Sequence, residues 1–204
     1  MPAPTSSAAT PCGAVLTGGA SRRMGRDKAL LELPDGRPMA AWVVERLAWV
    51  CDPVLAIDPT PERLAPLGAM LVTDEVPGHG PLGGLVAALA RSPRRHVFLV
   101  GCDMPLVEPA LVTGLVGRIG DRDAAVPVLG GRWQPLGALY STALLERARR
   151  LLAHGPRGLH ELLAGARVRW VAEDELRELD PALASFTNVN APGDLTALLE
   201  RLAP

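Results

Sequence analysis

Lysine is almost missing from this chain: of 21 Lys and Arg side chains, only Lys28 is a lysine. Aromatic residues are also scarce, at 3% of 204 residues, so there are few rings on which successive bases of a single-stranded nucleic acid could stack. Charge of one sign is not in excess. The formal net charge of −1 supplies no general attraction to DNA, RNA or an anionic membrane. Three cysteines, Cys12, Cys51 and Cys102, are widely spaced and form no CxxC pair. That argues against a disulfide framework and a zinc site, and for buried free thiols. No stretch approaches the roughly 20 uninterrupted apolar residues of a membrane helix. Residues 1–10, MPAPTSSAAT, lack a basic start and an apolar run, and read as a flexible tail rather than a signal or anchor. A soluble cytoplasmic protein that binds neither nucleic acid nor membrane is expected, and any nucleotide would have to be gripped locally.

Ala, Leu and Val make up most of the 48% hydrophobic content, which suits helices packed on an aliphatic sheet. The length allows a substantial core, and one domain over residues 11–204 is expected. Short apolar runs at 13–16, 54–57, 69–72, 96–101, 124–128, 136–140 and 168–172 read as strands. Segments 38–50, 82–91, 109–116 and 143–154 read as helices, and Asn190 or Ala191 is placed to cap a last helix with Pro192 in its first turn. Strands separated by helices predict an α/β, three-layer, Rossmann-like doubly wound fold, with a mostly parallel sheet covered on both faces. Such sheets bind ligands at the carboxyl ends of their strands, where Thr17, Gly18, Gly19 and Asp103 fall.

The stretch from Leu16 to Lys28, LTGGASRRMGRDK, carries the densest chemistry. Gly18 and Gly19 follow a strand, where missing side chains let backbone N–H groups approach an anion. Ser21 offers a hydroxyl, Arg22 and Arg23 offer planar forks, and Lys28 offers a compact point charge. The alternative is a solvated turn in an arginine-rich chain. Neither the GxxxxGK[ST] loop nor the GxGxxG dinucleotide fingerprint is present, so a Rossmann dehydrogenase is disfavoured. Asp103 before Met104 and Pro105 is either a metal carboxylate or a capped turn. A hard cation such as Mg²⁺ needs only one carboxylate besides phosphate oxygens and water. Asp74 and its neighbour Glu75 follow an apolar strand and read from the residues alone as solvated loop carboxylates. Gly80, Gly83 and Gly84 suit either a close ligand or tight helix packing. Asn188 and Asn190 suit either a ligand or ordinary turn and cap chemistry. The four histidines share no spacing that suggests a metal site or a triad.

The pattern GG-x-S-x-RMG-x-DK after a strand, here Gly18 to Lys28, resembles that of the molybdenum cofactor guanylyltransferases and related nucleotidyltransferases. The resemblance extends to Asp74 with GPLGGL at 80–85, CDMP at 102–105, QPLGALY at 134–140 and FTNVN at 186–190. It implies transfer of GMP from GTP to the terminal phosphate of molybdopterin, with pyrophosphate released and Mg²⁺ bound at Asp103. It also implies that Lys28, Asp103 and Arg22 act in catalysis. Leu16, Thr17, Gly18, Gly19, Ser21, Arg23, Lys28, Asp74, Gly83, Asp103, Asn188 and Asn190 would contact nucleotide or cofactor. Transient contact with molybdoenzymes or their chaperones would follow. The rival readings are a cytidylyltransferase or sugar-phosphate nucleotidyltransferase of the same fold, and a non-catalytic nucleotide- or cofactor-binding protein. The resemblance implies Ala in place of Gly18 where CTP is used.

Overall fold

The computed structural model describes residues 10–18, 28–33, 35–74, 76, 78–155, 158–190 and 192–202. Its strands are β1 (Cys12–Leu16), β2 (Val54–Asp58), β3 (Met70–Thr73), β4 (His96–Gly101), β5 (Ala124–Leu129), β6 (Arg132–Trp133), β7 (Ala138–Ser141) and β8 (Val168–Val171). Its helices are α1 (Met39–Ala48), α2 (Gly80–Arg91), α3 (Pro109–Ile119), α4 (Leu145–Ala153), α5 (Leu159–Ala164), α6 (Glu173–Leu179) and α7 (Pro192–Leu202). Every residue of β2 is buried and β1 is buried from Cys12 to Val15. Strands covered on both faces are apolar throughout rather than alternating, which is how CGAVL and VLAID read.

The sheet runs β3-β2-β1-β4-β7-β5-β6, and β8 pairs with β5. The pairs β3–β2, β2–β1 and β1–β4 are parallel, as expected. β7 lies antiparallel between β4 and β5, so the sheet is mixed. The reason is the short connection between β5 and β7. Residues 130–137 turn through Gly130 and Gly131, both at positive φ, into β6, whereas a parallel return takes about a dozen residues or more. β8 returns parallel on the other edge of β5.

Alternation along the central strands divides the core between two helical layers. Val15, Ala56, Phe98 and Val100 pack with Val43 and Leu47 of α1, Leu111 and Leu115 of α3 and Leu176 of α6. Ala14, Leu55, Val97 and Leu99 face the opposite way, toward Leu82, Leu85 and Leu89 of α2, Ala148 of α4 and Leu162 of α5. The segment expected as one helix over 143–154 begins as a 3₁₀ turn, Thr142–Leu144, started by the Ser141 hydroxyl accepting from the Ala143 amide. The short α5 and α6 were not expected.

Tyr140, the only tyrosine, is fully buried on β7, and its hydroxyl donates to the Pro135 carbonyl at 2.6 Å. Burial pushes its pKa far up, so the phenol remains a neutral donor. Tyr140→Phe should destabilise the fold by about 1–2 kcal/mol in urea denaturation, the range for losing a partly buried hydrogen bond. Unchanged stability would show that this bond contributes nothing.

Candidate functional site

β1 and β4 end side by side, with Leu16 in register with Gly101 and the Cys102 amide donating to the Leu16 carbonyl at 2.9 Å. From β1 the chain proceeds to β2 and β3 on one side, while β4 lies on the other, so the strand order reverses here. A cleft of about 820 Å³ opens at these carboxyl ends. Among its walls are Leu16, Thr17, Gly18, Lys28, Asp58, Arg63, Asp74, Gly80, Gly84, Gly101 and Asp103.

Three residues far apart in sequence meet at Lys28. Its Nζ donates to Asn190 Oδ1 at 2.8 Å and to Asp103 Oδ2 at 3.5 Å. The Lys28 and Asp103 side chains are 18% and 24% exposed, so this charge pair is sheltered but reachable. The Asp103 carbonyl accepts from the Val189 amide at 2.8 Å, and Val189 is fully buried, which fastens the 186–190 segment to the end of β4. Gly101 makes room for the Asp103 carboxylate: a Cβ there would lie 2.3 Å from Asp103 Oδ1. The amide of Asn190 donates to Asp194 Oδ2 at 2.7 Å, so the carboxylate cap at the start of α7 comes from Asp194. Asn188 is exposed, and its amide donates to the Phe186 carbonyl at 3.3 Å, a turn contact.

Steric demands explain the glycines. A Cβ on Gly18 would lie 2.8 Å from Pro59 Cδ, and one on Gly84 would lie 2.4 Å from Leu16 Cδ2. Gly83 turns from the cleft toward Val76 and Asp74, where its Cβ would be 3.1 Å from a carbonyl and 3.2 Å from a carboxylate oxygen. Gly80 takes positive φ and borders the cleft. Asp74 borders the cleft too; its Oδ1 accepts from the Val76 amide at 3.1 Å and its own amide donates to the Asp58 carbonyl at 2.9 Å. Gly19, Ser21, Arg22, Arg23, Glu75 and Ala191 lie outside the described residues.

Asp58 and Arg63 are cleft residues that the sequence reading missed. Asp58 is 2% exposed and carries an ion pair with Arg63. Burial alone would raise its pKa, but hydrogen bonds from Arg63, the Thr60 amide and Thr17 outweigh burial and hold it below the usual carboxylate range. A signal was present: VLAID ends a strand on a carboxylate, as the segment before Asp103 also does.

Among the described residues no cluster of three or more His, Cys, Asp or Glu side chains is arranged to hold a metal. A single accessible carboxylate at Asp103 in an open cleft still fits Mg²⁺, which retains waters and takes its remaining oxygens from a phosphate ligand. The three cysteines are buried and free, and burial raises the Cys12 pKa to about 11. No described helix is long and apolar enough to cross a membrane.

A mixed α/β sheet with a glycine-bearing strand exit and a strand-end carboxylate across its switch point defines a nucleotidyltransferase-type protein. The MobA-like NTP transferase domain family matches residues 13–174, and the chain belongs to that family. Among its relatives is the "Probable molybdenum cofactor guanylyltransferase" of Mycobacterium avium (strain 104), 37% identical over 94% of this chain and 96% of that protein. The molybdenum cofactor guanylyltransferase of Desulfosudis oleivorans is 34% identical over 90% of this chain and 91% of its own length. The crystal structure of molybdopterin-guanine dinucleotide biosynthesis protein A from Archaeoglobus fulgidus superimposes with a TM-score of 0.82 at 27% identity, covering 94% of this chain and 98% of that one.

Because the folded pKa of Asp58 is depressed, its stabilising effect is complete above the unfolded value of about 3.9 and is lost as pH falls through the folded value. The stability gap between wild type and Asp58→Asn, measured by urea denaturation, should therefore be constant near neutrality and close in acid. A gap that widens below pH about 4 would contradict this sign.

Proposed function

We propose that this chain transfers GMP from GTP to the terminal phosphate of molybdopterin, forming the guanine dinucleotide of the cofactor and releasing pyrophosphate. The observation that carries this reading is the convergence of Lys28, Asp103 and Asn190 beside the glycine-bearing exit of β1. Relatives named as molybdenum cofactor guanylyltransferases, aligned over nearly the whole chain, support it. Residues 11–204 would act as one domain in the cytoplasm, passing product to molybdoenzymes or their chaperones.

Two anions must react, and the acceptor phosphate is already a nucleophile. No general base is needed; the enzyme has to position the groups and neutralise charge. Lys28 supplies a sheltered ammonium, held beside the cleft by Asp103 and Asn190, that can exchange these partners for phosphate oxygens. The backbone at Gly18, held against Pro59 where no Cβ fits, would meet the phosphates at the β1 exit. α2 starts at Gly80 and Pro81 on the wall of the same cleft, and the positive end of its dipole adds partial positive charge there. Gly19, Ser21, Arg22 and Arg23 would complete the phosphate contacts, and Asp74 the nucleotide side. Asn188 and Asn190, fastened to Asp103 through Val189, would face the pterin. Mg²⁺, held by Asp103 and ligand oxygens, would supply Lewis-acid charge to the phosphates.

Pyrophosphate release with GTP and molybdopterin, with CTP in competition, tests the reading. Lys28→Ala and Asp103→Ala should each lower the rate by about 10²–10³-fold, the range for removing one transition-state electrostatic contact, while remaining folded. Lys28→Arg should also lose most activity, since a planar fork does not replace a point charge in a narrow site. A folded Asp103→Ala enzyme with full activity, or preferred use of CTP, would overturn the corresponding assignment.

A further inference from the structure

Asp58 is a buried carboxylate on the cleft wall for which the transfer chemistry above has no use. Its Oδ1 accepts from the Thr60 amide at 2.9 Å, the Thr60 hydroxyl at 3.2 Å and Arg63 Nε at 3.2 Å. Its Oδ2 accepts from Arg63 Nη2 and lies 2.9 Å from Thr17 Oγ1, whose single proton is shared between this carboxylate and the Ile57 carbonyl, also at 2.9 Å. Its acceptor positions are therefore occupied by protein donors, and a ligand gains little from approaching it. What the carboxylate holds is Thr17. The same Arg63 Nη2 reaches the Thr17 carbonyl at 3.4 Å, and the Thr17 amide donates to the Ile57 carbonyl at 3.1 Å. The next residue, Gly18, lies so close to Pro59, the residue after Asp58, that no Cβ fits between them. Where β1 leaves the sheet, it is thus clamped to where β2 leaves it, by charge at Thr17 and by contact at Gly18.

We infer that Asp58 and Arg63 are positioning residues for the nucleoside triphosphate, acting through Thr17 and Gly18 without touching the ligand. The inference rests on the reading above that the phosphates are held at the β1 exit. A displacement of about 1 Å in such a backbone is enough to cost a large factor in binding or rate. The acceptor side, built on Asp103 and the 188–190 segment, has its own anchor in the Val189 bond and should be insensitive to the clamp.

Thr17→Val, which removes the hydroxyl and keeps the shape, should raise the KM for the nucleotide about tenfold, the size of one charge-assisted hydrogen bond. The KM for molybdopterin should change less than about twofold, and Thr17→Ser should restore the wild-type value for the nucleotide. Asp58→Asn should act in the same direction, and Thr17→Val combined with it should cost less than the product of the two single effects, because the two side chains share the Thr17–Asp58 contact. Equal rises in both KM values, multiplicative effects in the double variant or no rescue by serine would each overturn the inference. Calorimetric titration of GTP, ATP and CTP without acceptor separates this idea from the guanylyl reading. If wild type favours a nucleotide other than GTP, the guanylyl reading fails, while the affinity ratio of variant to wild type for that nucleotide still decides the clamp. Unchanged affinity in a Thr17→Val variant with wild-type Tm overturns the clamp, and wild type binding no triphosphate overturns both.

Discussion

The parallel pairing of β1 with β4, which sets Leu16 opposite Gly101, is the constraint on which the site depends. A register slip of one residue would turn every side chain of β1 to the other helical layer. Ala14 and Val15 already commit to opposite cores, so burial fixes the register and the register fixes the site. Once Leu16 and Gly101 are opposed, the next residues of the two strands, Thr17–Gly18 and Cys102–Asp103, must emerge at one place. The exit of β1 and the Asp103 carboxylate are thereby brought together without any contact between their loops being needed first.

Close approach at this junction is made possible by missing side chains. Gly18 lies against Pro59, Gly84 against Leu16, Gly83 against Asp74 and Val76, and Gly101 against the Asp103 carboxylate. Such spacing leaves little slack, which suits a site whose work is positioning. Charges are arranged in the same local manner. The chain is nearly neutral as a whole, yet Lys28 with Asp103 and Arg63 with Asp58 place two ion pairs on the wall of one cleft. A cation already held beside a carboxylate in a sheltered cleft is partly stripped of water before any ligand arrives.

Much of this was legible in the sequence because it rests on local signals. Buried parallel strands announce themselves as unbroken apolar runs, and Gly18, Lys28, Asp103 and Asn190 stand at strand or segment ends within distinctive motifs. The direction of β7 was not legible because strand pattern alone does not give it; the length of the connection over 130–137 does. α5 and α6 were missed because six or seven residues hold too few turns to show a helical period. Asp58 and Arg63 were missed because DPTPER reads as a proline turn, and nothing in it reveals that its carboxylate reaches back to Thr17 across 41 residues. Gly83 shows the converse difficulty. Of the three glycines in GPLGG, only the structure separates Gly84, packed on the strand exit, from Gly83, packed on Asp74.

The most direct measurement is a crystal structure of the protein with Mg²⁺ and a non-hydrolysable GTP analogue. The account predicts that Lys28 Nζ leaves Asp103 and Asn190 for a phosphate oxygen, and that an Asp103 oxygen enters the metal's coordination shell. Lys28 still paired to Asp103, with the triphosphate and metal bound elsewhere, would contradict it.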